Sequence, residues 1–334
     1  MNFSQVLDID STFMLFIAPP AWGKTRMLRD LINKLDRKVV YVSPLKALAL
    51  EFSASIRKIA DTYGIGCSED ASLDRFMKEK RGVLVITPEL LSVKLMSAIE
   101  NDKESYLVVM DELHLFYHWG SSFRPVMWEA LIGIMSEGIN LLALSATVSD
   151  DILDFLKHGV ILNYQHGFVV DLGNRQLLFP PKEIFFYGHL GAKFLNRRFF
   201  FKLKKTTNTL IYFVHYRRDV EHWLDFCSRR KIDAIGCVGG EVDKFVSALS
   251  SRSRPPSCIF STTALSHGVN LPPIEGVFIG YKVNDEDQLI QMIGRGGRKG
   301  ESYNAYLMDS FKMGLWKKIR STISAALFDI VSKI

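Results

Sequence analysis

The stretch APPAWGKT at residues 18–25 follows an apolar run, residues 13–18, and opens a helix-compatible segment beginning near Lys24. A strand, a turn ending in Gly-Lys-Thr and a helix together form the setting in which backbone N–H groups at a helix N-terminus cradle phosphate, aided by the helix dipole. Lys24 would reach the outer phosphates and the Thr25 hydroxyl would hold Mg²⁺. Ala18 stands where the first glycine of GxxxxGK[ST] falls, and a bare GKT is common by chance. Taken alone, the segment is equally an ordinary strand-to-helix turn.

A second acidic element resolves that ambiguity. The apolar run Tyr106–Met110 ends in Asp111-Glu112-Leu113-His114, which places two carboxylates at a strand's C-terminal edge, where open α/β sheets bind ligands. Without the upstream loop this would read as a strand closing in a solvated acidic turn. With the loop on the same sheet, Asp111 is expected to hold Mg²⁺ through water and Glu112 to polarise an attacking water, as in a P-loop ATPase.

Working outward, short runs rich in Val, Ile and Phe alternate with stretches of helical length, the pattern of a parallel sheet covered on both faces. A first series of strands is expected at 13–18, 39–43, 83–86, Tyr106–Met110 and 141–144, with helices beginning near Lys24, Leu45, Glu89 and Pro125. A second series is expected at Glu183–Tyr187, 209–214, 234–235, 257–260, 276–279 and 305–308. Between them, residues 157–181 hold Gly159, Gly167, Gly173 and the Pro180-Pro181 pair with little helical periodicity. The expected organisation is therefore α/β, with one domain over 1–160, a linker over 161–181 and a second domain over 182–334. No repeat of solenoid length is evident.

Composition is consistent with this. The 334 residues are 48% hydrophobic and 23% charged, which excludes a disordered or collagen-like chain. The net charge of +6 and pI near 9.0 favour a polyanionic partner. Cys67, Cys227, Cys237 and Cys258 form no CxxC pair, so neither a zinc site nor a disulfide framework is indicated. No apolar stretch approaches the roughly 20 residues of a membrane span, and no signal-peptide pattern opens the chain. A cytoplasmic address, nucleoid-associated in a bacterium, and no membrane partner are expected.

With the loop and the acidic strand end in place, the chain resembles the superfamily 2 DExH-box helicases, nucleic-acid-dependent ATPases built from two tandem RecA-like P-loop domains. The resemblance covers most of the chain and rests on an ordered series. After the loop come VSPLKALALE at 42–51, ITPELL at 86–91, DELH at 111–114 and SAT at 145–147. LIYFVHYRRDVE at 210–221, STTALSHGVNLP at 261–272 and QMIGRGGR at 291–298 follow. The family implies ATP and Mg²⁺ as ligands. Gln291, Arg295 and Arg298 match its last motif, whose arginines reach the γ-phosphate across an interdomain cleft, a role suited to a planar, always-ionised fork. His114, Ser145, Thr147 and Gly268 fall on motifs that couple the nucleotide to the track.

Two flavours of the family are mixed. GVNLP at 268–272 looks like the Ski-type enzymes, which act on RNA or DNA. DELHLFYHWGSSFRP at 111–125 aligns without gaps with the RecQ-type pattern DEAHxxxxWGxDFRP, whose aromatic loop senses single-stranded DNA. Trp119, Phe123 and Arg124 fall on that pattern, and aromatic faces stacked on unpaired bases contribute about 1–3 kcal/mol each. The other reading of the two aromatics is interior packing. Pro44, Lys46, Thr87 and Pro88, with Thr262 in the second half, match motifs that hold the sugar-phosphate backbone, a contact insensitive to base sequence. KFLNRRFFFKLKK at 193–205 is either a grip for a strand or one amphipathic helix with a buried Phe face.

The departures are specific. Pro20, Ala21 and Trp22 precede Gly23 where the family carries Thr and small residues, and Pro20 removes a backbone donor from the cradle. Gln5 is the sole candidate for the adenine-reading glutamine, and Lys299 stands where RecQ-type enzymes commonly carry Asp. The segment after Arg298 is expected to add one strand and a terminal helical stretch, giving a motor core without accessory domain and leaving room for partner subunits. The expected activity is ATP-driven translocation on single-stranded or tailed duplex DNA, 3′ to 5′ by the resemblance. The alternatives are an RNA remodeller with the same motor and a nucleic-acid-binding subunit with a weakened ATPase.

Overall fold

The structure is a computed structural model that describes residues 3–7, 9–67, 73–188, 191–266 and 269–308. The chain divides into two compact units, Met1–Gln176 and Leu177–Ile334.

The first unit is built on seven strands: β1 (Thr12–Ile17), β2 (Lys38–Val42), β3 (Thr62–Gly64), β4 (Gly82–Ile86), β5 (Tyr106–Met110), β6 (Leu141–Ser145) and β7 (His166–Asp171). They lie in the order β3-β4-β2-β5-β6-β1-β7, and every pairing is parallel. Side chains alternate across the pleat, so Phe13, Leu15 and Ile17 of β1 enter one core while Met14 and Phe16 enter the other. A parallel sheet needs helical crossovers, which cover both faces and explain why the central strands are apolar throughout. Ser92 and Ser149 start two of those helices by accepting hydrogen bonds from the Leu95 and Ile152 amides.

The second unit carries β8 (Glu183–Tyr187), β9 (Thr209–Phe213), β10 (Ala234–Cys237), β11 (Cys258–Ser261), β12 (Ile274–Ile279) and β13 (Asn304–Met308), ordered β10-β11-β9-β12-β13-β8 and again parallel. One face carries a ladder of stacked rings. Tyr212, Phe278, Tyr306 and Phe185 follow one another across four strands with centroids 5.9, 4.2 and 5.0 Å apart. The segment KFLNRRFFFKLKK resolves as the helix Ala192–Leu203, which buries Leu195 and Phe199 and lays the Arg198 guanidinium over the Phe185 and Tyr306 rings at 5.5 and 5.6 Å.

Both sheets agree with the α/β, RecA-like expectation, and two details differ from it. β7 lies inside the stretch read as a linker, and the unit boundary falls at Gln176–Leu177. This strand pairs through its whole length with β1 but is largely exposed, so its sequence carries no buried apolar run to reveal it. The short β3 was also missed, because three residues give too little pattern. The expected terminal helical stretch and Gly268 lie outside the described residues. No described helix is long and apolar enough to cross a membrane.

One close approach positions the aromatic segment. The helix Leu113–Gly120 meets the helix Pro125–Ser136 at Gly120, where an added Cβ would lie 2.7 Å from the Trp128 backbone nitrogen. Gly120→Ala should therefore lower folding stability by roughly 1–3 kcal/mol, read as a shift in the chemical denaturation midpoint at constant slope.

Candidate nucleotide and nucleic-acid site

Strand β1 runs into the loop so that the Ala18 amide donates to the Ser145 carbonyl at 3.0 Å, binding the loop to the end of β6. The turn needs left-handed backbone at Ala21 (φ 67°) and Gly23 (φ 100°) before the helix Lys24–Ile32 begins. A Cβ on Gly23 would meet nothing within 4 Å, so glycine is required here by conformation, and the space above it is open. The Lys24 ammonium donates to the Ala18 carbonyl at 2.9 Å, folding back across its own loop. Thr25 lies exposed in the first helical turn. Pro20 has no donor, and the Trp22 amide is committed to the Pro19 carbonyl at 3.2 Å, so the cradle rests on the amides from Gly23 onward. The Trp22 ring turns onto Phe16, with centroids 5.3 Å apart. Gln5 sits exposed on the short helix Phe3–Leu7.

Strand β5 delivers the acids two strands away, with β6 between. The Tyr41 hydroxyl donates to Asp111 Oδ2 at 2.5 Å, and the Glu112 amide donates to Asp111 Oδ1 at 3.0 Å. Desolvation, reinforced by the neighbouring Glu112 charge, pushes Asp111 up to about 6, against the pull of the Tyr41 hydrogen bond and Lys24. Burial, followed by the Asp111 charge, likewise pushes the Tyr41 phenol well up, so it remains a donor. Glu112 occupies left-handed backbone at φ 50°, a strained conformation of the kind that collects at functional sites. Its Oε2 is buried with no hydrogen-bond partner, 3.6 Å from His114 Nδ1.

A carboxylate oxygen with no hydrogen-bond donor, beside a second carboxyl that burial makes reluctant to ionise and within the field of the Lys24 ammonium, is a donor set that suits a hard divalent cation and a polyphosphate. These residues fit Mg²⁺ with a nucleoside triphosphate, and Thr25 and Asp111 are the ones that would offer it oxygen. Behind them the Ser145 hydroxyl donates to the Thr147 carbonyl at 2.6 Å. Its remaining lone pairs accept from His114 Nδ1 at 3.0 Å and from the Thr147 amide at 3.3 Å. This chain connects the acidic strand end to the end of β6, which is where the coupling residues were expected.

The expected strand-binding residues gather at the same edge of the first sheet. Pro44 and Lys46 follow β2, while Thr87 and Pro88 follow β4; Lys46 is exposed, and Pro44, Thr87 and Pro88 are buried. Trp119 is half-buried against the core, its ring 5.3 Å from Phe123, which stands 69% exposed. Packing thus claims Trp119, and Phe123 offers the open face. Arg124 donates through Nε and Nη2 to Glu89 Oε1 at 2.8 and 2.5 Å and through Nη1 to the Pro44 carbonyl. Burial pushes the Glu89 carboxyl up, but hydrogen bonds from its own backbone, Arg124 and Thr87 together hold it below the usual range.

In the second unit, Thr262 follows β11 and caps a short turn by accepting from the Ala264 amide at 3.4 Å. Gln291 is buried on the helix Glu286–Ile293. Arg295 is 1% exposed, with Nη1 donating to the Val269 carbonyl at 2.7 Å, and Arg298 Nε donates to the Gly294 carbonyl at 2.8 Å. Both arginines are thus anchored within their own unit, and Arg298 is the more exposed of the two. Sequence reading missed Tyr41 and Glu89. Glu89 had a signal, an acid inside ITPELL whose charge complements Arg124. Tyr41 had none, since only the pairing of β2 with β5 brings it to Asp111.

The fold and this edge define a class: two tandem RecA-like α/β domains, the first with a phosphate-loop turn and an acidic pair at strand ends on one edge of its sheet. Two family models match the chain in order, the DEAD/DEAH box helicase model over residues 4–155 and the helicase conserved C-terminal domain model over 192–300. The chain belongs to the superfamily 2 helicases. It is 29% identical over 183 residues to the mouse (Mus musculus) U5 small nuclear ribonucleoprotein 200 kDa helicase, a match covering 46% of this chain and 8% of that protein. Among solved structures, Mss116p bound to ssRNA and AMP-PNP superposes with a TM-score of 0.68 at 18% identity, over 92% of this chain and 68% of that one. The Mycobacterium smegmatis helicase Lhr bound to ssDNA and AMP-PNP superposes with a TM-score of 0.60 at 18% identity, over 93% and 46%. The chain thus spans only a small part of the curated relative it matches, and at these identities the structures speak for the fold.

The raised pKa of Asp111 has a signed consequence. Its contribution to stability is fully present below the unfolded value near 4 and is lost as pH rises through about 6. Asp111→Asn removes the charge at every pH. It should raise the melting temperature of the nucleotide-free protein at pH 8, by a stabilisation on the order of 2–3 kcal/mol. That gain should shrink steadily as pH falls from 6 towards 4.

Proposed function

We propose that this chain is an ATP-driven motor that moves along single-stranded DNA, 3′ to 5′, as the core of a helicase. The carrying observation is the convergence at one sheet edge of Lys24, the Asp111–Glu112 pair and the His114–Ser145–Thr147 chain. In this reading Lys24 leaves the Ala18 carbonyl for the β- and γ-phosphates, and Gly23 and the first helical amides hold the phosphate oxygens. Asp111 and Thr25 would hold Mg²⁺, which would supply charge neutralisation on those oxygens. Glu112, with one oxygen already unpartnered, orients the attacking water and accepts its proton. Gln291, Arg295 and Arg298 are assigned to the γ-phosphate, Gln5 to the base, and Gly268 to coupling. Phe123 stacks on unpaired bases, and Lys46, Thr262 and the backbone around Pro44, Thr87 and Pro88 follow the phosphates. Arg124 carries strand occupancy inward through Glu89 and Pro44.

RNA is the second reading. It is supported by the GVNLP string and by the likeness to Mss116p, whose structure holds ssRNA. The 2′-hydroxyl is the group that separates the two, so matched DNA and RNA oligonucleotides are the discriminating pair.

Steady-state ATP hydrolysis should rise on addition of single-stranded DNA and should rise less with the matched RNA; no stimulation by either would reject the motor. Lys24→Ala should abolish turnover. Glu112→Gln should lower kcat by about 100-fold or more while nucleotide still binds. Phe123→Ala should weaken oligonucleotide binding by about 1–3 kcal/mol and lower the stimulation without changing the unstimulated rate.

A further inference from the structure

The C-terminal end of the helix Ala192–Leu203 opens on a feature that the motor does not use. At the N-terminal edge of the second sheet, next to Thr209 of β9 and the residues leading into β10 and β11, lies a cavity of about 890 Å³. This is the edge opposite the one that carries Thr262. Its floor includes Phe200, Leu203, Phe226 and Ile232, all partly buried and packed together as an extension of the core.

Four cations, Lys204, Arg230, Lys231 and Arg254, surround that floor, and all four are exposed. None of them has an ion pair among the described residues. The one carboxylate in the lining, Asp233, is already paired with Arg252, and the nearby Glu275 accepts from the Thr206 hydroxyl at 2.5 Å. The Arg230 guanidinium lies 3.6 Å from the centroid of the Phe226 ring, a cation–π contact that ties this charge to the apolar lining. The Lys231 amide donates to the Ser228 carbonyl and the Ile232 amide to that of Cys227, ending the helix Arg217–Arg229 so that consecutive cations stand at its tip. The result is an apolar hollow ringed by uncompensated positive charge.

We infer that this hollow docks an acidic peptide segment of a partner protein. One aliphatic or aromatic side chain of that segment enters between Phe200, Leu203, Phe226 and Ile232, and carboxylates flanking it in sequence pair with Arg230, Lys231, Arg254 and Lys204. Burying one such side chain supplies the apolar part of the affinity, and the carboxylate pairs add orientation and encounter rate. A nucleic-acid strand is the poorer fit, because it is gripped by an open stripe of cations with bases stacked along it, and here the apolar surface forms a floor between the charges. The assignment stands apart from the motor reading, since none of these residues is given a role in nucleotide or strand binding there.

The test is selection of a phage-displayed random peptide library on the intact protein, followed by fluorescence anisotropy with a labelled peptide carrying one Phe flanked by Asp and Glu. Selected peptides should combine an apolar anchor with flanking acids. Arg230→Glu combined with Arg254→Glu should weaken binding of the labelled peptide at least about tenfold while DNA-stimulated ATP hydrolysis is retained. Replacing the peptide's Phe by Ser, or its acids by Lys, should each abolish binding. Lys204→Glu combined with Lys231→Glu is the second pair, used if the first lowers the melting temperature, and should give the same loss. The inference is overturned if selection enriches no acidic-apolar peptide, or if such peptides bind the charge-reversed proteins unchanged. It is equally overturned if the charge reversals reduce binding of a single-stranded oligonucleotide and leave the peptide bound.

Discussion

Parallel strand pairing governs both units. A parallel strand must be followed by a crossover, so every strand of a sheet ends at the same edge and every loop that leaves a strand tip joins the same collection. In the first unit this brings the loop after β1, Pro44 after β2, Thr87 after β4, Asp111 after β5 and Thr147 after β6 to one rim. Residues scattered over more than a hundred positions become one site without any of them being close in sequence. The second sheet obeys the same rule. Its C-terminal edge holds Thr262, and its N-terminal edge, which carries no helicase motif, holds the basic cavity.

The nucleotide rim is held in a costly state. Asp111 carries a carboxyl group that desolvation and Glu112 make reluctant to ionise, Glu112 sits in left-handed backbone, and one of its oxygens has no hydrogen-bond donor. Lys24 is meanwhile occupied by a carbonyl of its own loop. A divalent cation and a triphosphate would relieve these features together, giving Asp111 a reason to ionise and Lys24 a stronger acceptor. The groups that carry these costs are the same ones that a bound metal and triphosphate would engage.

Arg124 shows how a surface feature becomes a connection. Its guanidinium ties Glu89, after β4, to the Pro44 carbonyl, after β2, while its own segment carries Phe123 into solvent. A base stacked on Phe123, as proposed, would load a segment already bonded to two neighbouring loops. Gly120 lets the helix before that segment pack closely against Trp128 of the helix after it.

Local chemistry was legible in the amino-acid sequence wherever a role depends on residue type and spacing: Gly23-Lys24-Thr25 after an apolar run, paired acids at a strand end, arginines with glycines at 294–298. Apolar runs likewise revealed the central strands, because a strand buried on both faces must be apolar throughout. β7 and β3 escaped, one because it is an exposed edge strand and the other because it is too short to show a period. Tyr41 as the partner of Asp111, Glu89 and Pro44 as the partners of Arg124, and the cation-ringed hollow around Phe226 were decided only by tertiary structure. Each depends on strands or helices that are neighbours in space and distant in sequence, and strand order and register are set by packing across the whole sheet rather than by any local pattern.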